Sequence, residues 1–393
     1  MDLLFTAAQD EFRAEVRSWL ESNVPSAARG TGPLASLDTA AGFEAHRVWE
    51  RTMYDARWSV VSWPEEFGGR GVGLMEWLIF EEEYYRASAP TRVSQNGIFL
   101  LAPTLFEFGS GEQQARFLPA MASGQTIWCQ GWSEPDAGSD LAGIRSRAER
   151  RPATGGWILN GQKTWCSRGA FADWLFGLFR TDPAAEKHRG LTYFLVPMDA
   201  PGVTVRPIGQ LDGETGFAEV FFEEVEVPDE QVLGGVDQGW SVAMATAGSE
   251  RGLSLRSPAR YTEAAARLVS LYRQRAEDDP AAAGLLADEV ARAVTRAEAY
   301  KWHTYWTAGR VLAGETVGPE ASMNKVFWSE TDLAIHSAAL GLLGDEAWLL
   351  GDDGTPGGWT CGFLFALAGP IYAGTNEIQR NVVAERVLGL PRS

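Results

Sequence analysis

Cysteine and histidine are scarce in this chain, which has only three cysteines and four histidines among 393 residues. Cys129, Cys166 and Cys361 lie far apart in the sequence, so they predict neither a disulfide framework nor a zinc site. The histidines show none of the spacings that metal sites use. They are His46, His188, His303 and His336. We therefore expect no metal, and the cysteine usage favours a reducing, cytoplasmic location.

Long apolar runs and an excess of positive charge are also missing. No apolar run reaches the roughly 18 residues of a membrane-spanning helix. The best run, Trp359–Tyr372, is short and is interrupted by Gly362, Gly369 and Pro370. The N-terminus lacks the basic-then-apolar pattern of a secretory signal. The formal net charge of −18 argues against nucleic-acid partners and against an anionic membrane surface.

Two common catalytic signatures are absent as well. The sequence has no Gly-x-Ser-x-Gly nucleophile elbow and no Gly-Lys-Ser/Thr phosphate loop. The glycine-rich segment WSVVSWPEEFGGRGVG, Trp58–Gly73, does not have the Gly-x-Gly-x-x-Gly spacing of a dinucleotide loop. We interpret this segment as a tight connection packed by Trp58 and Trp63.

The first third of the chain has a helical pattern. Hydrophobic and charged fractions of 45% and 22% are ordinary for a soluble globular protein, and the length allows two or three domains. Apolar residues recur three and four positions apart through residues 1–125, which predicts an N-terminal all-α domain. The helical segments are Phe5–Leu20, Phe43–Arg57, Leu74–Ala87, Ser94–Phe108 and Gly111–Met121.

The pattern changes to strands over residues 126–236, which predicts a central β domain. The strand-like runs are separated by proline, glycine and aspartate. An Asn160–Gly161 pair within Trp157–Gln162 predicts a hairpin turn. The intervening segments are too short for crossover helices, so the sheet should be mostly antiparallel. The other strands are Trp174–Arg180, Leu191–Pro197, Val203–Ile208 and Ala218–Val227.

Helical spacing returns over residues 237–393 and predicts a C-terminal four-helix bundle. The predicted helices are Gly239–Arg275, Ala281–Ala313, Pro319–Leu350 and Asn376–Leu388. The whole chain is therefore predicted to be an α+β protein, with a β domain between two helical domains.

The stretch IWCQGWSEPDAGSD, Ile127–Asp140, is the best candidate for a binding loop. Glycine beside hydroxyl residues lets a backbone approach a flat or charged ligand closely. Pro135 stiffens the loop, so its amides can be held in place before a ligand arrives. On composition alone, a plain turn between strands is an equally good interpretation.

Five motifs, taken together, resemble those of the acyl-CoA dehydrogenase family over essentially the whole chain. They are WPEEFGGRGVG (Trp63–Gly73), WSEPDAGSD (Trp132–Asp140), LNGQKTWCS (Leu159–Ser167), VEVPDEQVLG (Val225–Gly234) and IYAGTNEIQRNVVAERVLGLP (Ile371–Pro391). The resemblance implies that FAD is held between the β domain and the C-terminal helices. It also implies α,β-dehydrogenation of an acyl thioester, carried by coenzyme A or by an acyl carrier protein.

The resemblance assigns the flavin to two strand-associated segments. In the first, Ser133 would bond the pyrimidine side of the ring, and Ser139 would lie toward both the cofactor and the thioester. In the second, Trp165 would cover a flavin face, and Ser167 would direct its hydroxyl at the reactive edge. The implied cofactor contacts also include Gln130, Trp132, Gly138 and Cys166. The alternative for Trp165 is an aromatic residue that fills the core.

The C-terminal motif implies contacts with a second subunit and with the thioester. Thr375, Asn376 and Glu377 would contact FAD that the neighbouring subunit mainly binds. The backbone N–H of Ala373, followed by Gly374, would donate to the thioester carbonyl. Charge develops on that oxygen when the α-proton leaves, so donors there are needed.

The catalytic base departs from the usual family pattern. The family's glutamate commonly precedes the Gly-Thr pair, where this chain has Ala373. A branch of the family carries the glutamate before an arginine on the first C-terminal helix, and the matching pair here is Glu250–Arg251. A carboxylate in a dry pocket becomes a stronger base. Arg251 would position the glutamate or the ligand. The alternative for Glu250 is a solvated helix charge.

One family segment is missing, and this affects the expected assembly. The Arg-Lys-Thr-Phe-Gly-like segment, whose arginine reaches the partner's FAD, is replaced by Tyr272–Gly284. Arg273 or Arg275 is a candidate substitute, and Gly341 stands where a glutamine is expected. A homotetramer or dimer is implied, with a hetero-oligomer as an alternative.

The resemblance also implies an electron-transfer flavoprotein or another electron acceptor. Two alternative functions remain at this stage: a non-catalytic or half-site FAD-binding subunit, and a flavin-dependent monooxygenase. The C-terminal sequence EIQRNVVAERVLGLP favours a dehydrogenase over a monooxygenase.

Overall fold

The computed structural model describes five stretches of the chain, and gives backbone but no side-chain detail for residues 249–251. The stretches are residues 5–26, 36–151, 155–251, 257–351 and 356–391. The chain folds into two compact units. The sheet unit comprises Pro33–Val72 and Pro90–Glu250. The helical unit comprises Met1–Gly32, Gly73–Ala89 and Arg251–Ser393.

Both units draw on the N-terminal helices that the sequence predicts. Helices α1 (Ala7–Asn23) and α3 (Leu74–Arg86) pack in the helical unit. Helices α2 (Ala40–Asp55), α4 (Ala102–Phe108) and α5 (Gly111–Ala122) belong to the sheet unit. The predicted boundaries at residues 125 and 236 follow the type of secondary structure, whereas the compact units follow packing.

Local capping explains where several of these helices begin. The Thr6 side chain accepts a hydrogen bond from the backbone of Gln9, and Gln9 bonds back to Thr6, which forms a capping box on α1. Ser110 and Gln113 make the same arrangement on α5. A π-helical segment, Asn96–Leu101, leads into α4. The predicted helices of residues 1–125 are thereby confirmed, with ends that shift by a few residues.

The sheet unit is built on an eight-stranded sheet that is mostly antiparallel, as predicted. The strands are β1 (Trp128–Gly131), β2 (Arg147–Arg150), β3 (Trp157–Ser167), β4 (Trp174–Arg180), β5 (Leu191–Pro197), β6 (Val203–Ile208), β7 (Phe217–Val227) and β8 (Val232–Leu233). Their order is β6-β7-β3-β2-β4-β5-β8. Strand β1 pairs parallel to β4, and β2 makes one parallel pairing with β4. The sheet core includes Leu159, Phe179, Phe194 and Val220.

The predicted hairpin at Asn160–Gly161 is wrong, because both residues lie inside the continuous strand β3. The pairing of β3 with β7 is irregular between Leu159 and Gly161. Gly161 has φ +143°, and a Cβ there would lie 2.7 Å from the Ser146 Cα. The glycine therefore serves a close approach at a β-bulge instead of a turn.

The Trp58–Gly73 segment is a tight connection, as predicted. Trp58 and Trp63 are buried, and a single 3-10 turn, Glu65–Phe67, lies between them and Gly73. A Cβ on Gly69 would lie 1.9 Å from the carbonyl oxygen of Trp63. The glycines of this segment thus permit tight backbone packing.

The helical unit also contains the helices that follow residue 257. They are α7 (Pro258–Asp278), α8 (Pro280–Leu312), α9 (Ala321–Leu343), α10 (Gly358–Leu367) and α11 (Asn376–Val382), which a π-helical turn, Val383–Val387, extends. Its core joins Tyr261, Leu268, Ala297, Trp328 and Ile335. None of the helices in the described ranges has both the length and the hydropathy needed to cross a membrane.

The predicted helix Gly239–Arg275 is wrong as a single element. It is two helices: α6 (Gly239–Arg251), which belongs to the sheet unit apart from its last residue, and α7. Ser257 caps α7 by accepting from the Ala259 N–H at 3.2 Å, and Pro258 occupies its first turn. Proline favours the first turn and disfavours the interior of a helix, so a new helix begins there.

Arginine–glutamate pairs join α1 to α3. The Glu83 carboxylate accepts from Arg13 at 3.0 Å, from Arg17 at 2.9 Å and from Arg86 at 2.7 Å. Only 1% of its side chain is exposed. Burial alone would raise the pKa of Glu83, but the three guanidinium groups outweigh it and lower this pKa from 4.5 to about 2.

We expect Glu83→Gln to lower the free energy of unfolding by about 1–3 kcal/mol near neutral pH, because it weakens charged hydrogen bonds. The ionised carboxylate stabilises the fold above its ordinary pKa of 4.5, and this contribution is lost as the pH falls toward 2. The stability gap between wild type and variant should therefore narrow as the pH falls below 4.5. Denaturant unfolding at several pH values measures it. The exposed Glu11→Gln is the control, and a pH-independent gap would contradict this account.

Candidate functional site

The predicted binding loop leaves the sheet at the end of β1 and folds back on itself. The Glu134 N–H donates to the Ala137 carbonyl at 2.9 Å, and the Ala137 N–H donates to the Glu134 carbonyl at 3.1 Å. The Thr164 N–H donates to the Ser133 carbonyl at 2.9 Å, which ties the loop to β3. The segment is therefore a loop whose backbone is fixed against the sheet by hydrogen bonds, and not only a turn between two strands.

A buried ion pair fixes the loop to strand β3. Lys163 Nζ lies 2.7 Å from Glu134 Oε1, and the Lys163 side chain has no exposure. The same carboxylate accepts from the N–H groups of Arg145 at 2.6 Å and Ser146 at 2.9 Å. Burial alone would raise the pKa of Glu134, but Lys163 and these donors outweigh it and hold this pKa below its usual range. Glu134 therefore stays ionised and joins three chain segments.

Arg180 holds the backbone beyond the loop. Its guanidinium donates to the carbonyls of Ala142 at 2.8 Å and Ile144 at 3.3 Å. It also donates to the carbonyls of Lys187 at 3.1 Å and Arg189 at 3.2 Å. One side chain thus joins the segment after Ser139 to the connection between β4 and β5. Sequence reasoning missed Arg180 and the pairing of Lys163 with Glu134, because no local pattern shows which charged residues meet after folding.

Trp165 stands out of the sheet in an unusual backbone conformation. It lies where the β3–β7 register shifts between Lys163 and Cys166, and its φ is +60°. Residues with a side chain rarely adopt positive φ, and such strain concentrates at functional positions. The side chain is 58% exposed, and its ring meets Phe217 edge-on at 6.0 Å. The alternative that Trp165 fills the core is therefore excluded.

Two buried hydrogen-bond donors, one in β1 and one just after it, lack partners among the described residues. Among the described residues, nothing accepts a hydrogen bond from Gln130 Nε2 or from Trp132 Nε1. Buried polar groups are nearly always bonded, so such orphans point to a missing ligand or water. Gly138 and Ser139 are exposed at the loop's tip, and a Cβ on Gly138 would meet no atom within 4 Å.

Cys166 and Ser167 follow Trp165 on β3. The Cys166 thiol is fully buried in the sheet core, and burial raises its pKa to about 12. The thiol is therefore unreactive and faces away from the exposed indole, which leaves the Cys166 backbone for any cofactor contact. The carbonyl of Ser167 accepts from the Asn96 amide at 3.2 Å, so the end of β3 is tied to the π-helical segment.

The C-terminal motif forms a turn with two residues of positive φ. Ala373 has φ +57° and Gly374 has φ +77°. The Gln379 amide donates to the carbonyls of both residues at 3.3 Å. Thr375 caps α11 by accepting from the Ile378 N–H at 3.2 Å. The turn is held by its own helix, in a conformation that alanine adopts only under constraint.

Asn376 anchors this turn through buried bonds. Its side-chain oxygen accepts from Lys325 Nζ at 2.9 Å and from Ser329 Oγ at 3.1 Å. Glu377 is exposed and lies 3.8 Å from Arg380. The Asn376 side-chain oxygen is thus occupied within the helical unit, whereas the Glu377 carboxylate remains at the surface.

The predicted base lies at the edge of the described structure. Glu250 and Arg251 end helix α6, and their side chains lie outside the described residues. Of the two arginines that are candidates for an FAD contact, Arg275 donates to both oxygens of Glu346, and Arg273 is exposed.

The structure brings the predicted residues together in two groups. Residues 130–139 and 165–167 lie in the sheet unit, and residues 373–377 lie in the helical unit. No cluster of three or more metal-binding side chains occurs within the described ranges.

Family models match nearly the whole chain. The acyl-CoA dehydrogenase N-terminal domain matches residues 6–125, the middle domain matches residues 129–225, and the C-terminal domain matches residues 237–388. The chain is 40% identical over 399 aligned positions to the acyl-CoA dehydrogenase IpdE1 of Mycolicibacterium smegmatis, with 97% of this chain and 98% of that protein covered. IpdE1 of Mycobacterium tuberculosis is also 40% identical, with 98% of each chain covered.

Solved structures of similar proteins have the same fold. The ChsE4-ChsE5 complex from Mycobacterium tuberculosis aligns with a TM-score of 0.83 and 29% identity, covering 100% of both chains. The Tcur3481-Tcur3483 steroid ACAD aligns with a TM-score of 0.82 and 27% identity, also covering 100% of both chains.

We expect Lys163→Met to weaken FAD retention and to lower the free energy of unfolding by about 3–5 kcal/mol, because it leaves the Glu134 carboxylate buried without its cation. Lys163→Met/Glu134→Gln should recover part of the stability without recovering cofactor affinity, because the loop stays unanchored. Flavin absorbance relative to protein and an FAD titration measure affinity, and denaturant unfolding measures stability. Lys187→Met, which breaks the exposed pair with Asp140, is the control. Wild-type FAD affinity in the double variant would contradict a positioning role.

Proposed function

The chain belongs to the acyl-CoA dehydrogenase family and is an FAD-dependent oxidoreductase of that family, and on this basis we propose that it desaturates an acyl-CoA thioester with Glu250 as the base. The carboxylate would take the α-proton, and the β-hydrogen would leave as hydride on the opposite face. The fold agrees with this assignment: an N-terminal helical domain, a central sheet domain and a C-terminal helical domain.

The observation that carries the proposal is the exposed, strained indole of Trp165 beside an anchored loop. A flat cofactor can stack on an exposed tryptophan face. The unpartnered donors of Gln130 and Trp132 fit the polar edge of an isoalloxazine. FAD, when bound, supplies the hydride acceptor. The residues present therefore fit the cofactor, and Ser133, Gly138 and Ser139 would contact it through the loop that Glu134 holds.

Removal of the α-proton also needs a base and hydrogen-bond donors to the thioester carbonyl. The positive φ of Ala373 turns the backbone sharply before Thr375, and we propose that the Ala373 N–H donates to the thioester carbonyl beside Gly374. Such a donor stabilises the charge that develops on oxygen as the α-proton leaves. A base at Glu250 needs no carboxylate at position 373, and an alanine there keeps the N–H. Arg251 would hold the glutamate or the ligand.

The acyl carrier is proposed to be coenzyme A, because the similar curated proteins are named acyl-CoA dehydrogenases. An acyl-carrier-protein thioester shares the phosphopantetheine arm and is the alternative. A similar solved structure is named a steroid ACAD, which favours a bulky acyl group over a slender chain. The electron acceptor is proposed to be an electron-transfer flavoprotein.

The second candidate function is a half-site subunit that completes its flavin site with a partner of different sequence. The Tyr272–Gly284 segment lacks the family's arginine motif, and Arg275 is already paired with Glu346. Two similar solved structures, ChsE4-ChsE5 and Tcur3481-Tcur3483, are each named for two proteins. We propose a hetero-oligomer over a homotetramer or dimer on this ground.

Glu250→Gln should retain FAD and ligand binding and lose at least about 100-fold in the rate of flavin reduction, because the amide cannot accept the α-proton. Anaerobic bleaching of the flavin by acyl-CoA thioesters in stopped flow measures that rate. Glu277→Gln, an exposed position late in α7, is the control. An unchanged rate in Glu250→Gln would remove this residue from the role of base.

FAD occupancy and flavin bleaching distinguish a half-site subunit from a chain with a complete flavin site. If the chain is a half-site subunit, the protein purified alone should hold less than one FAD per chain and should not bleach with any thioester. Co-expression with a second acyl-CoA dehydrogenase chain of different sequence, taken from the same organism, should restore both properties. The hetero-oligomer would be contradicted if the protein purified alone held one FAD per chain and if its flavin bleached with a thioester. A mass measurement should then show a single protein species.

A further inference from the structure

Arg260 is a largely enclosed cation with donors to spare. It lies in the first turns of α7, and 27% of its side chain is exposed. Within the described ranges, its guanidinium makes one hydrogen bond, from Nη2 to Asp332 Oδ2 at 2.9 Å. A guanidinium has five N–H donors in a fixed planar fork. Most of its donor capacity is therefore unused in a side chain that still reaches solvent-accessible space.

The surroundings of this guanidinium are aromatic. It lies 5.7 Å from the centre of the Tyr261 ring and 5.3 Å from that of Phe365. Tyr261 stacks on Trp328 at 6.3 Å, Trp328 meets Tyr372 at 5.8 Å, and Tyr372 meets Phe365 at 6.2 Å. The four rings and the arginine form a closed circuit, which we call the arginine–aromatic cluster. Its members come from α7, α9, α10 and the turn that follows α10.

Among the described residues, an ion pair with Asp332 holds the guanidinium of the cluster. Asp332 is 2% exposed and pairs with Arg260, while His336 Nδ1 lies 3.3 Å from the other carboxylate oxygen. Burial lowers the pKa of Arg260, and Asp332 more than offsets this, so the net shift is upward. Because the carboxylate neutralises the guanidinium, the cluster does not require an anionic ligand. Spare donors in a neutral, aromatic setting match a neutral oxygen acceptor on an apolar molecule.

The cluster adjoins the turn assigned to the thioester. Tyr372 directly precedes Ala373, whose N–H is the proposed donor to the thioester carbonyl, and the Tyr372 ring meets Phe365, which contacts Arg260. Phe365 is 41% exposed, so the cluster is open on one side. The acyl part of a thioester held at Ala373 can therefore extend along these rings.

We propose that Arg260, held by Asp332, determines specificity by donating a hydrogen bond to a keto or hydroxyl oxygen on the acyl group. This inference rests on the proposed thioester dehydrogenation. The substrate class is then oxygenated, bulky acyl-CoA thioesters, and unsubstituted alkanoyl-CoA thioesters are poor substrates. A site with a buried donor rejects an analogue that lacks the matching oxygen, because the donor is left without a partner.

The test compares thioesters that differ by one oxygen. The holoenzyme, with its partner subunit if one is needed, is assayed with cyclohexylpropanoyl-CoA and octanoyl-CoA and with keto derivatives of each. We expect at least one keto derivative to exceed its parent about 10- to 100-fold in kcat/KM, the effect of one charged hydrogen bond. Calorimetric titration of the corresponding enoyl-CoA products measures binding independently of turnover.

Two variants assign that preference to the cluster. Arg260→Met/Asp332→Asn removes both charges together, so no buried carboxylate is left without its partner. This double variant should lose the preference for the keto compounds, because kcat/KM falls for the keto derivatives and rises for the parents, which no longer leave a donor without a partner. Arg260→Lys keeps the charge but loses the fork, and it should keep only part of the preference. Arg292→Met, at an exposed pair on α8, is the control.

The outcomes separate this inference from the proposed function. Absence of any keto preference in the wild type, in kcat/KM and in calorimetry, would overturn the role of Arg260 while leaving dehydrogenation intact. A preference that survives in the double variant would overturn it as well. If no thioester bleaches the flavin, the proposed function fails, and calorimetry then decides whether Arg260 still selects oxygenated thioesters. A double variant that does not fold leaves Arg260→Lys and the wild-type panel to decide.

Discussion

The buried pair of Lys163 and Glu134 is the constraint on which the rest of the sheet unit's site depends. A lysine with no exposure is costly unless it is paired and bonded, and here its partner also accepts two backbone N–H groups. The same pair therefore fixes the loop before β2 and the strand that carries Trp165. Without this ion pair, the exposed Trp165 indole and the hydrogen-bond donors of the loop would not be held at fixed positions. A flat cofactor would then find no pre-organised surface.

The helical unit uses the same physical device in three places. The Glu83 carboxylate accepts from three arginines between α1 and α3. Lys325 donates to Asn376 under the C-terminal turn. Asp332 accepts from Arg260 beside aromatic rings. The chain carries a net charge of −18, and two of these three places are ion pairs of a buried carboxylate with arginine, whereas Lys325 bonds to a neutral amide oxygen. Buried polar groups of this kind specify one arrangement, because any other arrangement leaves a charge unpaired.

Much of the fold followed from periodicity, and the failures have specific causes. Strands β4, β5 and β6 have the predicted bounds because runs of apolar, β-branched and aromatic residues, bounded by turn residues, mark them in the sequence. Asn160–Gly161 was misinterpreted because a glycine that serves a close approach at a bulge looks like a glycine that serves a turn. Gly239–Arg275 was merged because both halves have helical spacing, and only the Ser257–Pro258 pair marks the break.

From the sequence alone the family and its cofactor could be identified, because short motifs keep the residues that the chemistry of a family requires. Tertiary structure alone decided that Trp165 stands outward at positive φ, that Cys166 turns inward, and that Arg260 contacts the rings of Tyr261 and Phe365. Each of these depends on residues far apart in the chain that meet only after packing. A side chain's burial and its partners are properties of that packing, and no local pattern contains them.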